Sequence, residues 1–206
     1  TGKHAGSGAI AQNEEFIATR LGWLNEQNDV VSVRPINSAY MPRSGDLIVG
    51  VVAEVRNNLW FFDVNGPFQA LLPMSLAPWK VEFGSTRQHL GIGDAALARV
   101  QEVDEAHNMV LTMKGIGLRR LNEGCVIAIP VNLIDTLRGE NNSMVSRIRD
   151  LSDCRIIVAD NGRVWVDGDA DNMFTVRGLI QTLVDEGHMN NFEDAVHALE
   201  QQRGEN

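Results

Sequence analysis

The chain has 206 residues, a formal net charge of −9 and a hydrophobic fraction of 44%. This length allows one large domain or up to three small ones, and the composition is sufficient for hydrophobic cores. Because no run of eighteen apolar residues occurs, the sequence predicts no membrane span. Cys125 and Cys154 are too few and too isolated for a disulfide framework or a zinc site. We expect both to be buried thiols in a reducing cytoplasm.

The acidic residues are concentrated near the C-terminus. Residues 167–206 carry nine Asp and Glu against two Arg, whereas residues 1–166 carry eighteen acids and sixteen bases. A net negative charge by itself disfavours binding to phosphates. This distribution nevertheless leaves room for local basic patches upstream, and proteins that bind single strands also use aromatic stacking, which needs no charge.

The first forty residues predict a small β segment. The first eight are small and polar, lack the apolar centre of a secretory signal, and are expected to form a flexible lead-in. Residues 30–36 alternate like a strand, which Pro35 should restrict to a sheet edge. The segment is too short to fold independently, so we expect a small sheet that packs against a neighbour.

Five short β-rich runs follow between Gly45 and Lys114, separated by Asn-Asn, Asn-Gly-Pro and Gly-Ile-Gly-Asp breaks. Strands at this spacing favour a small barrel or sandwich. Five such strands fit an OB-fold, whose open face commonly binds single-stranded nucleic acid. Alternation on the second run places Trp60 and Phe62 inside the barrel and Phe61 outside, where a base could stack.

A glycine-punctuated linker carrying Arg119 and Arg120 is expected next. From Cys125 onward the pattern predicts a strand, a short helix, a break, a second helix capped by Ser143, a hairpin and two closing helices. Asn161-Gly162 between alternating apolar runs indicates the hairpin. This order is KH-like, and KH modules clamp a nucleic-acid backbone with a G-x-x-G turn between two helices. The predicted strands are residues 125–129, 155–158 and 163–166, and the predicted helices are residues 130–137, 172–186 and 192–202.

Five motifs occur in a specific order. They are YMPRSGDLIVG at residues 40–50, LWFFDV at 59–64, LLPMS at 71–75, GENNSM at 139–144 and NGRVWV at 161–166. Together they resemble the RNA-binding cap subunit of the archaeal and eukaryotic RNA exosome, the family named for ribosomal RNA-processing protein four. The resemblance extends over residues 30–199 and favours an archaeal member.

The resemblance implies an α+β multidomain fold. Its parts are a small N-terminal ring-docking β domain at residues 1–43, an S1-type OB-fold barrel at 44–115 and a KH-like domain with C-terminal helices at 116–206. It further implies that three such subunits, with other cap subunits, sit on a hexameric ring of RNase PH-like subunits. The cap captures single-stranded, A-rich RNA and feeds it into the pore, where the ring cuts phosphorolytically. It needs no cofactor and no membrane.

Three positions depart from the family pattern. Asn142 stands where a KH turn has its second glycine, although Asn tolerates a left-handed backbone better than most residues. Ala159 replaces the first glycine of a G-x-N-G motif before the last strand. Pro73 occupies a position where many S1 domains have histidine.

The candidate RNA contacts fall in three groups. Phe61 and Lys114 match positions that stack a base and bind a phosphate in S1 domains, loop and linker bases form a rim around the pore, and the remainder surround the KH turn. Each has an alternative, since Phe61 could pack on a neighbouring domain and the charged residues could serve solubility or pair with acids. The predicted RNA-binding residues are Arg56, Phe61, Lys80, Arg87, Lys114, Arg119, Arg120, Arg138, Asn141, Arg147, Asn161, Gly162 and Arg163.

No catalytic constellation is apparent. Residues 167–172 resemble the start of a calcium loop, but Asn172 and Gly178 stand where an EF-hand needs Gly and Glu. No histidine has ligand spacing to Cys or acids, so we expect neither a metal site nor an enzyme. Two alternatives stay open: a stand-alone S1 and KH protein of translation, and the tail of a polynucleotide phosphorylase, in which the KH module comes first.

Overall fold

The computed structural model describes residues 3–13, 15–27, 29–35, 39–186 and 189–204. The chain divides into two units, residues 1–38 and 39–206. Within the described ranges, no helix combines the length and the apolar character needed to cross a membrane.

The first unit consists of two small sheets. A three-stranded sheet has the order β1-β5-β4, and β2 and β3 form a two-stranded sheet. The strands are β1 (His4–Ala5), β2 (Ala9–Gln12), β3 (Glu15–Ala18), β4 (Gly22–Gln27) and β5 (Val30–Pro35).

Two predictions for this unit are wrong. His4 and Ala5 belong to no flexible lead-in, because they form β1 and pair in parallel with β5. The strand β5 is central and not at an edge. Pro35 is tolerated because it is the last residue of β5, beyond the reach of β1, and pairs only with β4. Ile36, also predicted in this strand, lies outside the described residues.

The second unit begins with the predicted five-stranded barrel. The order β10-β8-β7-β6-β9 is closed by a further pairing of β9 with β10, and only β8 and β10 run parallel. This is the connectivity of an OB-fold. The strands are β6 (Leu47–Val55), β7 (Leu59–Asp63), β8 (Ala70–Pro73), β9 (Ala95–Val103) and β10 (Met109–Thr112), and a short helix α1 (Thr86–His89) precedes β9.

The predicted alternation on β7 is confirmed. Trp60 is fully buried and its indole N–H donates to the carbonyl of Leu90 at 3.0 Å. Phe62 is also buried, whereas Phe61 is half-buried on the outer face. A side chain at Gly50 would place its Cβ 2.7 Å from the Phe62 ring. Glycine at this position therefore lets the barrel close around its aromatic core.

The predicted linker contains a strand, β11 (Arg119–Leu121), which pairs with the first residues of β9. A KH-like module follows, with an antiparallel sheet of order β12-β14-β13. Helices pack on one face of this sheet. The elements are β12 (Cys125–Ala128), α2 (Ile134–Arg138), α3 (Ser143–Ser152), β13 (Arg155–Val158), β14 (Arg163–Asp167), α4 (Ala170–Glu186) and α5 (Met189–Gly204).

The turn between α2 and α3 tolerates its missing glycine. Gly139, Asn141 and Asn142 have φ angles of 66°, 52° and 61°, so two asparagines adopt the left-handed conformation that the turn requires. The predicted cap is wrong by one residue. Asn142 is the N-cap, and Ser143 is the first residue of α3.

The opposite face of the KH sheet packs on the barrel. Val49 and Leu97 of the barrel share a hydrophobic cluster with Leu121, Ala159 and Trp165. The barrel and the KH module therefore form one packed body within residues 39–206. The predicted domain boundaries after residues 43 and 115 stay predictions.

Candidate nucleic-acid interface

Three loops meet at one end of the barrel. The strands β6, β8 and β10 finish there, and β7 and β9 begin there, because β7 runs antiparallel to β6 and β8, β10 runs parallel to β8, and β9 runs antiparallel to β6. We call this the basic end and define it as residues 56–58, 74–94 and 113–118.

The two ends of the barrel differ in charge. The basic end carries four basic and two acidic residues. The loops of the opposite end, residues 39–46, 64–69 and 104–108, carry one basic and three acidic residues. All four bases of the basic end were predicted from the sequence, and all four are exposed. They are Arg56, Lys80, Arg87 and Lys114.

Arg56 covers the predicted stacking residue. Its guanidinium carbon lies 4.7 Å from the centre of the Phe61 ring. Glu54, the cross-strand partner of Phe61, accepts a 2.8 Å hydrogen bond from the Nε–H of Arg56, and this bond raises the pKa of Arg56. A nucleobase that approaches Phe61 therefore meets the planar guanidinium of Arg56, which can itself stack on the nucleobase.

The long loop of the basic end is fastened to the short one. The backbone N–H of Gly84 donates to the carbonyl of Asn57 at 2.8 Å, and the hydroxyl of Thr86 donates to the carbonyl of Arg56 at 2.6 Å. Phe83 comes directly before Gly84 in the long loop, and its side chain is 73% exposed. Phe83 is not among the residues predicted from the sequence, although an aromatic residue between Glu82 and Gly84 in a segment without periodicity indicates an exposed side chain.

The two linker arginines have different surroundings. Arg120 donates to the carboxylate of Asp94 at 3.0 Å and to the carbonyl of His89 at 3.3 Å, so it fastens β11 beside the barrel. Arg119 is exposed, with its guanidinium carbon 5.6 Å from the Trp165 ring. Arg120 therefore has a carboxylate partner, whereas Arg119 has none in the part of the chain that the structure describes.

The tip of the KH hairpin caps a bare edge of the barrel. β7 pairs with β6 only from Val51 onward, which leaves the preceding residues of that edge unpaired. Asn161 is fully buried there and donates to the carbonyls of Val49 and Val64, both at 2.9 Å. Asp160 exchanges hydrogen bonds with the backbone of Leu47. These are structural contacts that complete the hydrogen bonding of an edge strand.

The two residues after Asn161 are also structural. Gly162 has a φ of 73°, and a Cβ there would lie 2.5 Å from the carbonyl of Ile129. Arg163 is buried and donates to the Asp63 carboxylate at 2.7 Å. Burial raises the pKa of Asp63, but hydrogen bonds from the Asn65 N–H and from Arg163 outweigh it and hold this pKa below the usual value. We therefore leave Asn161, Gly162 and Arg163 out of the proposed RNA contacts.

The arginines of the KH turn are also engaged. Arg138 donates to the carboxylate of Asp160 at 2.7 Å and to the carbonyl of Val158 at 2.8 Å. Arg147 pairs with Glu200 and lowers the pKa of that carboxyl to about 2.

The groove beside the turn is lined by acids. It is an open pocket of about 630 Å³ whose lining includes Asp135, Glu140 and the exposed Asn141. Arg138 is its only basic residue within the described part of the chain. Among the described residues that line this groove, no basic side chain is therefore free of a carboxylate partner.

The described residues contain no group of three or more His, Cys, Asp or Glu that could hold a metal ion. Cys125 and Cys154 are free thiols. Cys154 is buried and Cys125 is half-buried, and burial raises the pKa of Cys125.

Comparison with known proteins identifies the family, although no family model matches the chain. The chain is 30% identical over 206 residues to exosome complex component Rrp4 of Picrophilus torridus, covering 100% of this chain and 90% of that protein. The chain belongs to the Rrp4 family. The Rrp4 protein of Thermoplasma acidophilum is 30% identical over 195 residues, covering 94% of this chain and 83% of its own length.

A solved structure shares the fold of this Rrp4-family chain. A crystal structure assigned as an exosome complex RNA-binding protein superposes with a TM-score of 0.72 at 25% identity, covering 81% of this chain and 98% of its own. These findings confirm the resemblance that the five sequence motifs indicated and the predicted combination of β domain, S1-type barrel and KH-like module.

Proposed function

We propose that this chain is a non-catalytic RNA-binding subunit of an exosome complex and that single-stranded RNA binds at the basic end of its barrel. The observation that carries the proposal is the convergence of four exposed bases and an outward aromatic residue at one end of an OB-type barrel. Single-strand binders combine a positive groove with stacking residues in this way. Membership of the Rrp4 family supports the exosome as the setting.

The proposed contacts are a subset of the sequence prediction. They comprise the side chains that are exposed at or beside the basic end, with Phe61 beneath Arg56. The arginines of the KH turn are excluded because they are half-buried and engaged by carboxylates, whereas Arg56, which also pairs with Glu54, is exposed and lies over Phe61. The retained residues are Arg56, Phe61, Lys80, Arg87, Lys114 and Arg119.

The first unit would dock the subunit on its complex. Leu21 and Leu24 of this unit are 82% and 72% exposed, and Ile10 and Ile17 are also open to solvent. Exposed apolar groups on a small domain mark an interaction surface. We propose that this surface contacts a ring of RNase PH-like subunits, that three copies sit there with other cap subunits, and that they pass RNA to the pore for 3′–5′ degradation.

RNA binding is tested by fluorescence anisotropy with a labelled 15-nucleotide single-stranded RNA. Replacing Arg87 and Lys114 together by alanine should weaken binding and lower the slope of log K against log salt by about 1.4, or about 0.7 per lost phosphate contact. Arg43→Ala, an exposed base at the opposite end, is the matched control and should leave the slope unchanged. Equal effects of the two variants would contradict the proposed location, and shortening of RNA by the purified chain would contradict the absence of catalysis.

Docking is tested separately by light scattering with an RNase PH-like hexamer. The double variant Leu21→Asp and Leu24→Asp should fail to join the hexamer while its RNA affinity as an isolated chain stays unchanged. Ile92→Asp, an equally apolar and exposed position at the basic end, should still join. If the double variant assembles like the unmodified chain, the first unit is not the docking element.

A further inference from the structure

Phe83 is presented to solvent by a turn that hydrogen bonds hold closed. The hydroxyl of Ser85 accepts from the N–H of Glu82 at 3.1 Å and donates to the Glu82 carbonyl at 2.8 Å. Gly84 adopts a φ of 86°, a conformation that other residues rarely take. These features fix the backbone of the turn, and in this turn the phenyl ring is 73% exposed.

The turn is also anchored to the loop that carries Arg56. The hydrogen bonds from Gly84 and Thr86 to that loop follow Phe83 directly in the chain. Thr86 is only 2% exposed, so its 2.6 Å bond to the Arg56 carbonyl is shielded from water. Phe83 is thus adjacent in the chain to the contact between its turn and the loop whose Arg56 lies over Phe61.

The surroundings of Phe83 indicate the chemistry of its ligand. Glu82 precedes it, and the neighbouring bases Lys80 and Arg87 are exposed and make no ion pair in the described part of the chain. The basic end also exposes the apolar residues Ile92 and Ile116, but a purely apolar partner would leave the exposed bases Lys80 and Arg87 without counter-charges. A ligand with flat apolar faces and regularly spaced negative charges fits better, and single-stranded RNA is such a ligand.

We propose that Phe83 stacks on a second base of the bound RNA, next to the base at the Arg56–Phe61 pair. The proposal rests on the proposed function, because it assumes that RNA binds at the basic end. Two aromatic platforms, Phe83 and the Arg56–Phe61 pair, would hold two nucleobases of one RNA strand, while Lys80 and Arg87 bind its phosphates. The barrel would then bind RNA in a fixed path across its end.

The test compares two phenylalanines of similar exposure. Phe83→Ala should weaken binding of an oligoadenylate 12-mer about five-fold or more, whereas Phe174→Ala, at a site on α4 that is 77% exposed, should change it less than two-fold. The salt slope of Phe83→Ala should equal that of the unmodified chain because no charge is removed. Phe83→Leu should bind the RNA as weakly as Phe83→Ala, and Phe83→Trp should bind it about as tightly as the unmodified chain.

A scan with single abasic nucleotides adds a readout that a structural role would not change. For the unmodified chain, abasic substitution should weaken binding at two positions, one for each aromatic platform, and Phe83→Ala should lose sensitivity at one of them alone. If the unmodified chain binds RNA but Phe83→Ala binds equally well, this inference is wrong and the proposed function stands. If the unmodified chain does not bind single-stranded RNA, the proposed function fails and this inference with it.

Discussion

At the basic end of the barrel, Lys80, Arg87 and Lys114 point into solvent and contact no carboxylate among the described residues. Around the KH module, Arg138, Arg147 and Arg163 each donate to a carboxylate. Both modules belong to architectures that bind nucleic acid, yet among the described residues the basic end groups three unpaired basic side chains at one site, whereas the only basic residue lining the KH groove, Arg138, is paired with Asp160. The fold of a module therefore indicates which class of ligand it could bind, whereas binding also requires charged side chains that are not already paired within the protein.

The first prediction separates the inside of the barrel from its binding face. Trp60→Ala should lower the free energy of unfolding by about 3–5 kcal/mol, because it empties a buried aromatic site and removes a hydrogen bond. Phe61→Ala should cost about 1 kcal/mol or less and should weaken RNA binding instead. Urea unfolding and anisotropy measure the two effects, and a reversed order of stability loss would contradict the strand register.

The second prediction treats Asn161 as a structural residue of the KH module. Asn161→Ala leaves the buried carbonyl of Val64 without a donor, removes the shorter of the two hydrogen bonds to the Val49 carbonyl and removes the acceptor of the Val49 N–H, and should cost about 2–3 kcal/mol of stability. Asn122→Ala, at an exposed asparagine just before β12 whose φ is not positive, is the control and should stay within about 0.5 kcal/mol. RNA affinity of folded Asn161→Ala should be unchanged, and a selective loss of affinity at full stability would return Asn161 to the RNA contacts.

The third prediction concerns pH. Because the pKa of Asp63 is lowered in the folded protein, its carboxylate stabilises the fold above the unfolded aspartate pKa of about 3.9, and this contribution is lost as pH falls through the folded pKa. The side chain is 58% exposed, so the contribution should be about 1 kcal/mol or less. Unfolding of Asp63→Asn between pH 7 and 3 should show a shallower acid loss than the unmodified chain, and parallel curves would contradict the pairing with Arg163.

The smallest expected effect is at the KH turn. Glu140→Gln removes an exposed negative charge beside the groove of the KH turn. The affinity for single-stranded RNA should nevertheless change less than about two-fold, since the RNA is proposed to bind at the basic end of the barrel. Glu82→Gln, the same change at the basic end, should strengthen binding more. A several-fold gain for Glu140→Gln alone would show that RNA also passes the KH turn.

Local patterns in the sequence predict the barrel and the KH order well. Alternation around Trp60 and Phe62 and the Asn161-Gly162 turn depend on neighbours within a few residues, and both predictions are confirmed. The sequence also indicated the bases of the basic end, because they lie in recognisable loops.

The sequence could not show hydrogen bonds between residues that are distant along the chain. Arg163 contacts Asp63 and Asn161 contacts Val49, each about a hundred residues away, so neither role has a local signal. Pro35 predicted an edge strand, but β1 is too short to reach it. The exposure of Phe83 depends on hydrogen bonds between two loops that no periodicity indicates.

The capped edge of β6 has a consequence for synthesis on the ribosome. A nascent chain that ends before the KH hairpin has all five barrel strands but lacks Asp160 and Asn161, so the backbone groups of Leu47 and Val49 at that edge have no protein partner. The hairpin that supplies these partners is synthesised about a hundred residues after β6. We expect the barrel to reach its final order only after the hairpin emerges, so that these two modules mature together and not one after the other.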